Sequence, residues 1–169
     1  MTEALSVVFT DLVGFTTYTE ERGDAAAVRV LEDTRRIVDR ALEGSDGRVV
    51  KEIGDGVMLA FCDASGSIEC TARLAAGLRD GFVDGGLPLA ARIGLHRGEV
   101  VPRGDDLVGH TVNVAARVAD VAGPGELLVS DAALSACGPL PRVRADAVGP
   151  VRVRGVREPI WLHRVVTGP

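Results

Sequence analysis

Cysteine and histidine are scarce in this chain, and neither is patterned. Its 169 residues hold Cys62, Cys70 and Cys137, and His96, His110 and His163. None has the paired spacing of a zinc site, and an odd cysteine count does not make a disulfide framework. The expectation is reduced, mostly buried thiols in a cytoplasmic protein. Long apolar runs are missing too. No stretch approaches the about 20 residues that cross a bilayer, and no basic-then-apolar leader opens the chain, so no membrane partner is expected. Positive charge is in deficit: 19 Lys and Arg against 24 Asp and Glu give a net charge of −5. A general affinity for nucleic acid or anionic membrane is therefore not expected. An acidic protein that binds polyphosphate must concentrate positive charge locally, with metal to help. Repeats, low-complexity tracts and linkers are absent as well, which leaves one domain spanning 1–169. With 46% hydrophobic and 25% charged residues, the composition is that of a soluble globular protein.

What is present is a readable order of elements. Residues 4–10 are apolar and β-branched and break at Asp11, which predicts a buried strand. A polar stretch then leads to Asp24, a suitable N-cap for a helix to about Glu43. Val28, Leu31, Val38 and Leu42 mark its apolar stripe, and Gly44 stops it. Strands at 48–53 and 57–61 flank Gly54-Asp55-Gly56, a hairpin signal. A second helix is predicted over 64–82, with Ile68, Ala72, Ala75 and Leu78 on one side, followed by a strand at 89–95. A polar loop over 102–106 precedes a helix from about Thr111, which ends at Gly123-Pro124-Gly125. Short strands follow at 126–130, 151–153 and 160–166. The order predicts an α+β fold, a ferredoxin-like βαββαβ sheet core with helices on one face, an additional helix and C-terminal strands.

Several residues on this frame carry chemistry. In such a sheet the first and third strands are neighbours, so Asp11 and Asp55 meet at one end. Two carboxylates suit Mg²⁺, which takes hard oxygen ligands and keeps water and phosphate oxygens. Taken separately, Asp11 is better read as the cap of a short helix and Asp55 as turn chemistry. Leu12, Val13, Gly14 and Phe15 offer consecutive backbone N–H groups at a turn into a helix, which can cradle phosphates. Asn113 and Arg117 lie four apart and project from one helix face, where an amide can orient a ribose and a guanidinium can meet phosphoryl charge. A solvated polar face is the plainer account of the same pair. Lys51 and Asp106 can read an adenine edge, Lys donating to a ring nitrogen and Asp accepting from the amino group. Both also suit an ordinary surface. Arg152, Arg154 and Arg157 can reach a triphosphate or simply alternate along an exposed strand.

Taken in order, FTDLVGFT, KEIGDGV, RIGLHRGEV, GDDLVGHTVNVAAR, GPGELLVS and VRVRG resemble the catalytic domain of class III nucleotidyl cyclases, over nearly the whole chain. The short chain is most similar to stand-alone bacterial versions. The resemblance implies an adenylate cyclase that converts ATP to 3′,5′-cyclic AMP and pyrophosphate, with two Mg²⁺ or Mn²⁺ ions per site. Asp11 and Asp55 look like the metal aspartates, and the Leu12 carbonyl like an extra ligand. Lys51 and Asp106 fall on the base-specifying positions in the adenylyl combination; guanylyl members typically place Glu and Cys there. Asn113 and Arg117 match the pair that positions the ribose and stabilises the transition state. Arg154 stands where many members have a triphosphate-binding lysine, and Arg is not its geometric equivalent. The family pairs its domains head to tail, so a homodimer of this chain would hold two composite sites and a monomer none. The competing expectation is a degenerate domain that binds nucleotide or a partner without catalysis. A diguanylate cyclase or polymerase module is a further rival, without its GGDEF-type signature here.

Overall fold

The chain folds around one strand that is buried on both of its faces. The computed structural model describes residues 1–168. Along them run β1 (Glu3–Leu12), α1 (Phe15–Arg22), α2 (Asp24–Leu42), β2 (Arg48–Ile53), β3 (Gly56–Phe61), α3 (Ala64–Val83) and β4 (Ala91–Arg103). Then come β5 (Asp106–Val108), α4 (His110–Val121), β6 (Leu127–Ser130), α5 (Asp131–Ser135), β7 (Val143–Val151) and β8 (Ile160–Thr167). The sheet order is β2-β3-β1-β4-β6-β8-β7, with β5 folded back on β4. β1 lies antiparallel between β3 and β4, so the βαββαβ core is present with its first and third strands adjacent. β6 adds to β4 in parallel, and β8 and β7 extend the sheet antiparallel. Among the described residues no helix is long and apolar enough to cross a membrane.

Burial explains why the central strands read as continuous apolar runs rather than alternating ones. On one face Val8, Leu12, Leu59, Phe61, Ile93 and Leu95 pack with α2 and α3. On the other, Leu5, Val7, Met58 and Ala60 pack with Leu107 and Ala115. All six residues of β3 are buried. A strand covered on both sides has no polar face to alternate with.

The two crossover helices do lie on one face, but α4 crosses to the other. Its Val114 and Val118 pack on Leu128 and Leu162. The approach is close, because a Cβ on Gly94 would lie 2.1 Å from the Ala119 backbone nitrogen. Glycine at 94 is thus a condition for α4 to seat on β4.

Several local expectations change: β1 runs through Asp11 to Leu12, and β4 spans Ala91–Arg103, taking in the start of the loop expected at 102–106. The polar stretch after Gly14 is a helix, α1, which buries none of its residues and therefore shows no apolar stripe. α2 starts after Gly23, and Asp24 is its first residue rather than its cap. Asp24 still helps there, as a carboxylate in the first turn facing the positive end of the helix. α2 buries Ala27, Val30, Thr34 and Val38, while Val28 is exposed. The buried set is a face rotated from the predicted stripe, since apolar residues occur on both sides of this helix. Finally, β7 ends at Val151, so only the first residue of the strand expected at 151–153 is in a strand, and Arg152 and Arg154 lie in the connection to β8. A short α5 also follows β6, capped by Ser130 Oγ, which accepts from Ala133 N at 3.3 Å.

Two outcomes follow from the α4 face. Gly94→Ala should lower the unfolding free energy by about 3 kcal/mol, since backbone must move to admit the methyl group; urea denaturation measures it. His96 lies on β4 with Nδ1 at 2.7 Å from Ser130 Oγ, and burial, with His110 adding to it, brings its pKa down to about 4. The unfolded chain takes up the proton near pH 6.5 and the folded chain only near 4, so stability is full above 6.5 and is lost as pH falls between these values. His96→Gln should flatten that part of the urea-midpoint profile.

Candidate active site

The end of β1 is where the carboxylates gather. Thr10 pairs with Val57, and the turn before β3 therefore lies beside Asp11. Gly54 takes φ 59° to close the turn. Gly56 must lack a side chain, because a Cβ there would stand 2.3 Å from the Thr10 carbonyl oxygen. Asp55 Oδ2 then accepts a hydrogen bond from Leu12 N at 2.8 Å. Burial raises the Asp55 pKa, and the neighbouring Asp11 carboxyl raises it further. Two carboxylates held this close in a half-buried corner form a locus that favours a cation.

Arg92 already faces that corner. It is the β4 residue opposite Asp11 in the register, and its Nη2 donates to Asp11 Oδ2. Its Nη1 lies 3.4 Å from the Asp120 carbonyl, and its buried Nε has no acceptor. The residue was not singled out from the sequence. The usable signal was its position at the start of RIGLHRGEV, which an antiparallel β1–β4 pairing places across from Asp11.

The phosphate cradle is narrower than expected. Leu12 N is taken by Asp55, and Val13 N donates to the Ala90 carbonyl at 2.8 Å. Gly14 and Phe15 remain, at the N-terminus of α1, where Gly14 has φ 76° and no side chain caps the helix. A helix start without a side-chain cap keeps its N–H groups available to an anion.

Lys51 and Asp106 are brought together, although 55 positions separate them. Lys51 Nζ donates to Asp106 Oδ2 at 2.8 Å. The β4–β5 arm makes this possible by folding Leu107 into the core against Leu5, Val7 and Met58. Asp106 Oδ1 also accepts from Leu107 N at 2.8 Å. Lys51, with the Leu107 amide, holds the Asp106 carboxyl below the usual carboxylate range. The pair is half-exposed, so it contributes little to stability and leaves both groups accessible from solution.

Asn113 and Arg117 stand on the outer side of α4, whose other side buries Val114, Ala115, Val118 and Ala119. Arg117 Nη1 bonds Asp120 Oδ2 at 3.0 Å on the same helix. Arg154 is exposed in the turn between β7 and β8. β8 starts beside Ser130 at the end of β6, whereas Asp11 lies by the start of β4, so Arg154 is at the opposite end of the sheet from the carboxylates. Within one chain, then, the aspartates meet and the Lys–Asp pair meets. No side-chain hydrogen bond or ion pair among the described residues joins these sets or reaches the Asn113 side chain, and Arg92 alone bridges Asp11 toward α4. No cluster of three or more His, Cys, Asp or Glu occurs among the described residues; a cation at Asp11 and Asp55 would complete its shell with backbone, water or substrate oxygens.

Known proteins share both the sequence pattern and the fold. A pH-sensitive adenylate cyclase of Mycobacterium tuberculosis (strain CDC 1551 / Oshkosh) is 34% identical over 167 residues, 97% of this chain and 41% of that protein. The chain spans 22% to 41% of the length of the first curated relatives it matches. The adenylyl cyclase CyaB from P. aeruginosa superposes with a TM-score of 0.83 at 23% identity, over 100% of this chain and 96% of that one. The guanylyl cyclase Cya2 superposes with a TM-score of 0.85 at 23% identity, over 99% and 94%. The description of the adenylate and guanylate cyclase catalytic domain matches residues 1–166, and the chain belongs to that family.

Proposed function

We propose that this chain is a single adenylyl cyclase domain that converts ATP to 3′,5′-cyclic AMP and pyrophosphate, in two composite sites of a homodimer. The observation that carries the choice of base is the Lys51–Asp106 pair, 2.8 Å apart and accessible from solution. The backbone fold is shared with both adenylyl and guanylyl cyclases, so discrimination must come from side chains. Lys51 supplies a donor for a purine ring nitrogen, and Asp106 an acceptor for the adenine amino group. Guanine presents a carbonyl at that edge and would leave the aspartate facing another acceptor.

The separation of the three sets within one chain supports the dimer. The carboxylates, the base-reading pair and α4 each carry an exposed apolar neighbour: Ile53 at 49%, Val101 at 42% and Val121 at 41% exposure. Apolar residues left open beside functional side chains suit a partner surface. An isologous pairing of two copies would set one chain's aspartates against the other's Lys51, Asp106, Asn113 and Arg117, and would do so twice.

Asp11, Asp55 and the Leu12 carbonyl fit Mg²⁺ or Mn²⁺, being hard oxygen donors in a corner whose like charges call for a cation. Two ions held there would supply Lewis acidity toward the ribose hydroxyl and toward the departing phosphate. The Gly14 and Phe15 amides bind phosphate oxygens. Arg92, beside Asp11, turns its guanidinium to the polyphosphate once the aspartate is otherwise neutralised. Asn113 orients the ribose so that its 3′-oxygen lies in line with the α-phosphorus. That oxygen bonds to the α-phosphorus as the bond to the bridging oxygen of the β-phosphate breaks, and pyrophosphate leaves. The hydroxyl proton passes to solvent or substrate. Arg117 leaves Asp120 and meets the charge that builds on the phosphoryl oxygens. Arg154 adds a fork of donors to the triphosphate.

Incubation with ATP and Mn²⁺ should yield cyclic AMP and pyrophosphate, and GTP should be turned over far more slowly. Asp55→Ala should lower turnover by at least about 100-fold while leaving a folded protein that has lost one hydrogen bond worth about 1 kcal/mol. A folded variant with wild-type activity would remove the metal assignment. Replacing Lys51 by Glu and Asp106 by Cys should lower ATP turnover sharply and leave the urea midpoint unchanged. Asp11→Ala and Arg117→Ala should each be inactive alone. Mixed with free subunit exchange, they should recover about a quarter of wild-type sites; heterodimers that form without recovery would end the composite-site reading.

A further inference from the structure

Away from the carboxylate corner, α3 borders two adjoining cavities of about 300 and 320 Å³. Both are lined by Ala75, Arg79, Pro124 and Gly125, so they form one cleft. The second is walled by Leu78, Phe82, Ile93 and Pro124 and has no carboxylate in its lining. The first holds Arg79, Arg164 and Glu126 as its charged residues. Glu126 is fully engaged: Oε1 accepts from Arg164 Nε, and Oε2 accepts from Gly123 N at 2.7 Å. Arg79 has no carboxylate within ion-pair distance among the described residues, at the junction of an apolar hollow and a polar one. Arg79 is exposed at the mouth of the cleft, so its guanidinium is open to a ligand anion from solution.

The cleft touches the segments that set the proposed active site. Gly123-Pro124-Gly125 follows α4, which carries Asn113 and Arg117. Gly125 N donates to the Ala91 carbonyl at 2.7 Å, and the Ala90 carbonyl accepts from Val13 N at 2.8 Å. Ala90 and Ala91 line the apolar cavity, and Ala91 precedes Arg92, the partner of Asp11. A molecule seated here would press on the backbone that aligns both Arg92 and the end of α4.

We propose that this cleft binds an anionic amphiphile, a small molecule with an apolar chain and a carboxylate head, and that occupancy raises turnover. The chain lies between Leu78, Phe82 and Ile93, and the carboxylate meets Arg79. Each cavity has the volume of a small-ligand pocket. Apolar walls with a few placed polar groups are the usual composition of such sites. Filling it braces the Gly-Pro-Gly turn and Ala91, so that less ordering remains to be done when substrate binds. The effect on turnover rests on the cyclase reading above; binding does not.

Isothermal titration of the purified chain with decanoate, set beside decanol and decyltrimethylammonium, tests the site. Decanoate should bind saturably at one site per chain, at least tenfold more tightly than either comparator. Arg79→Glu should weaken it at least tenfold, and Ala75→Phe, which fills the shared wall, should do the same; circular dichroism confirms that both fold. With ATP as substrate, saturating decanoate should raise wild-type turnover at least twofold and leave Arg79→Glu unchanged. Absent saturable binding, equal binding of the cationic probe, or full affinity in folded Arg79→Glu each overturn the site. Unchanged or lowered turnover with decanoate bound overturns the regulatory role. A protein that makes no cyclic AMP at all refutes the cyclase reading instead, and the titration still decides the cleft.

Discussion

Strand β1 lies antiparallel between β3 and β4, and most of the molecule depends on that placement. Its residues alternate into two apolar cores, one beneath α2 and α3 and one beneath α4 and the β5 arm. The same pairing sets Asp11 beside the Asp55 turn and across from Arg92. Packing and chemistry are therefore tied to one register. A slip of one residue would exchange the two cores and turn Asp11 to the other face. Gly56 and Gly94 allow this arrangement because each admits backbone where a Cβ would collide.

Charge is then distributed according to what each part must do. Asp11 and Asp55 are held close enough that burial and the neighbouring carboxyl raise the proton affinity of Asp55, a cost that the proposed cation would relieve. Arg92 compensates on one side. Lys51 and Asp106, by contrast, are fully matched and half-exposed; their geometry suits recognition better than stability. Arg117 rests on Asp120, one turn along its own helix, a weak surface pair that is easily exchanged for a phosphate.

Much of this was legible before any coordinates, because strong local signals coincide with the core. The Gly54-Asp55-Gly56 hairpin and the helix carrying Asn113 and Arg117 stand where their patterns put them, whereas β1 runs on through the expected break at Asp11 to Leu12. The family resemblance named Lys51 and Asp106 as a pair, and they are one. Other elements were silent for physical reasons. α1 fully buries no residue, only resting Phe15 and Tyr18 against the core, and so has no continuous stripe to read. α2 has apolar residues on two sides, and only packing decided that Val30 rather than Val28 goes inside. β7 carries small and charged residues with a register shift between Ala147 and Gly149, which hides its alternation.

By itself, then, the sequence determined the βαββαβ order, an aspartate near the end of the first strand and another in the hairpin turn, and the residue types able to handle a nucleotide triphosphate. Those follow from hydrophobic period, turn chemistry and motif spacing, all of which act over a few neighbouring residues. Tertiary structure alone decided that α4 covers the face opposite α2 and α3, that Arg92 answers Asp11, and that Val13 and Leu12 spend their amides before a phosphate could use them. It also decided that Arg154 lies at the other end of the sheet from the aspartates. These outcomes depend on register and on which backbone approaches which. Contacts separated by tens of residues leave no periodic trace in the chain, and only the packed sheet brings them into being.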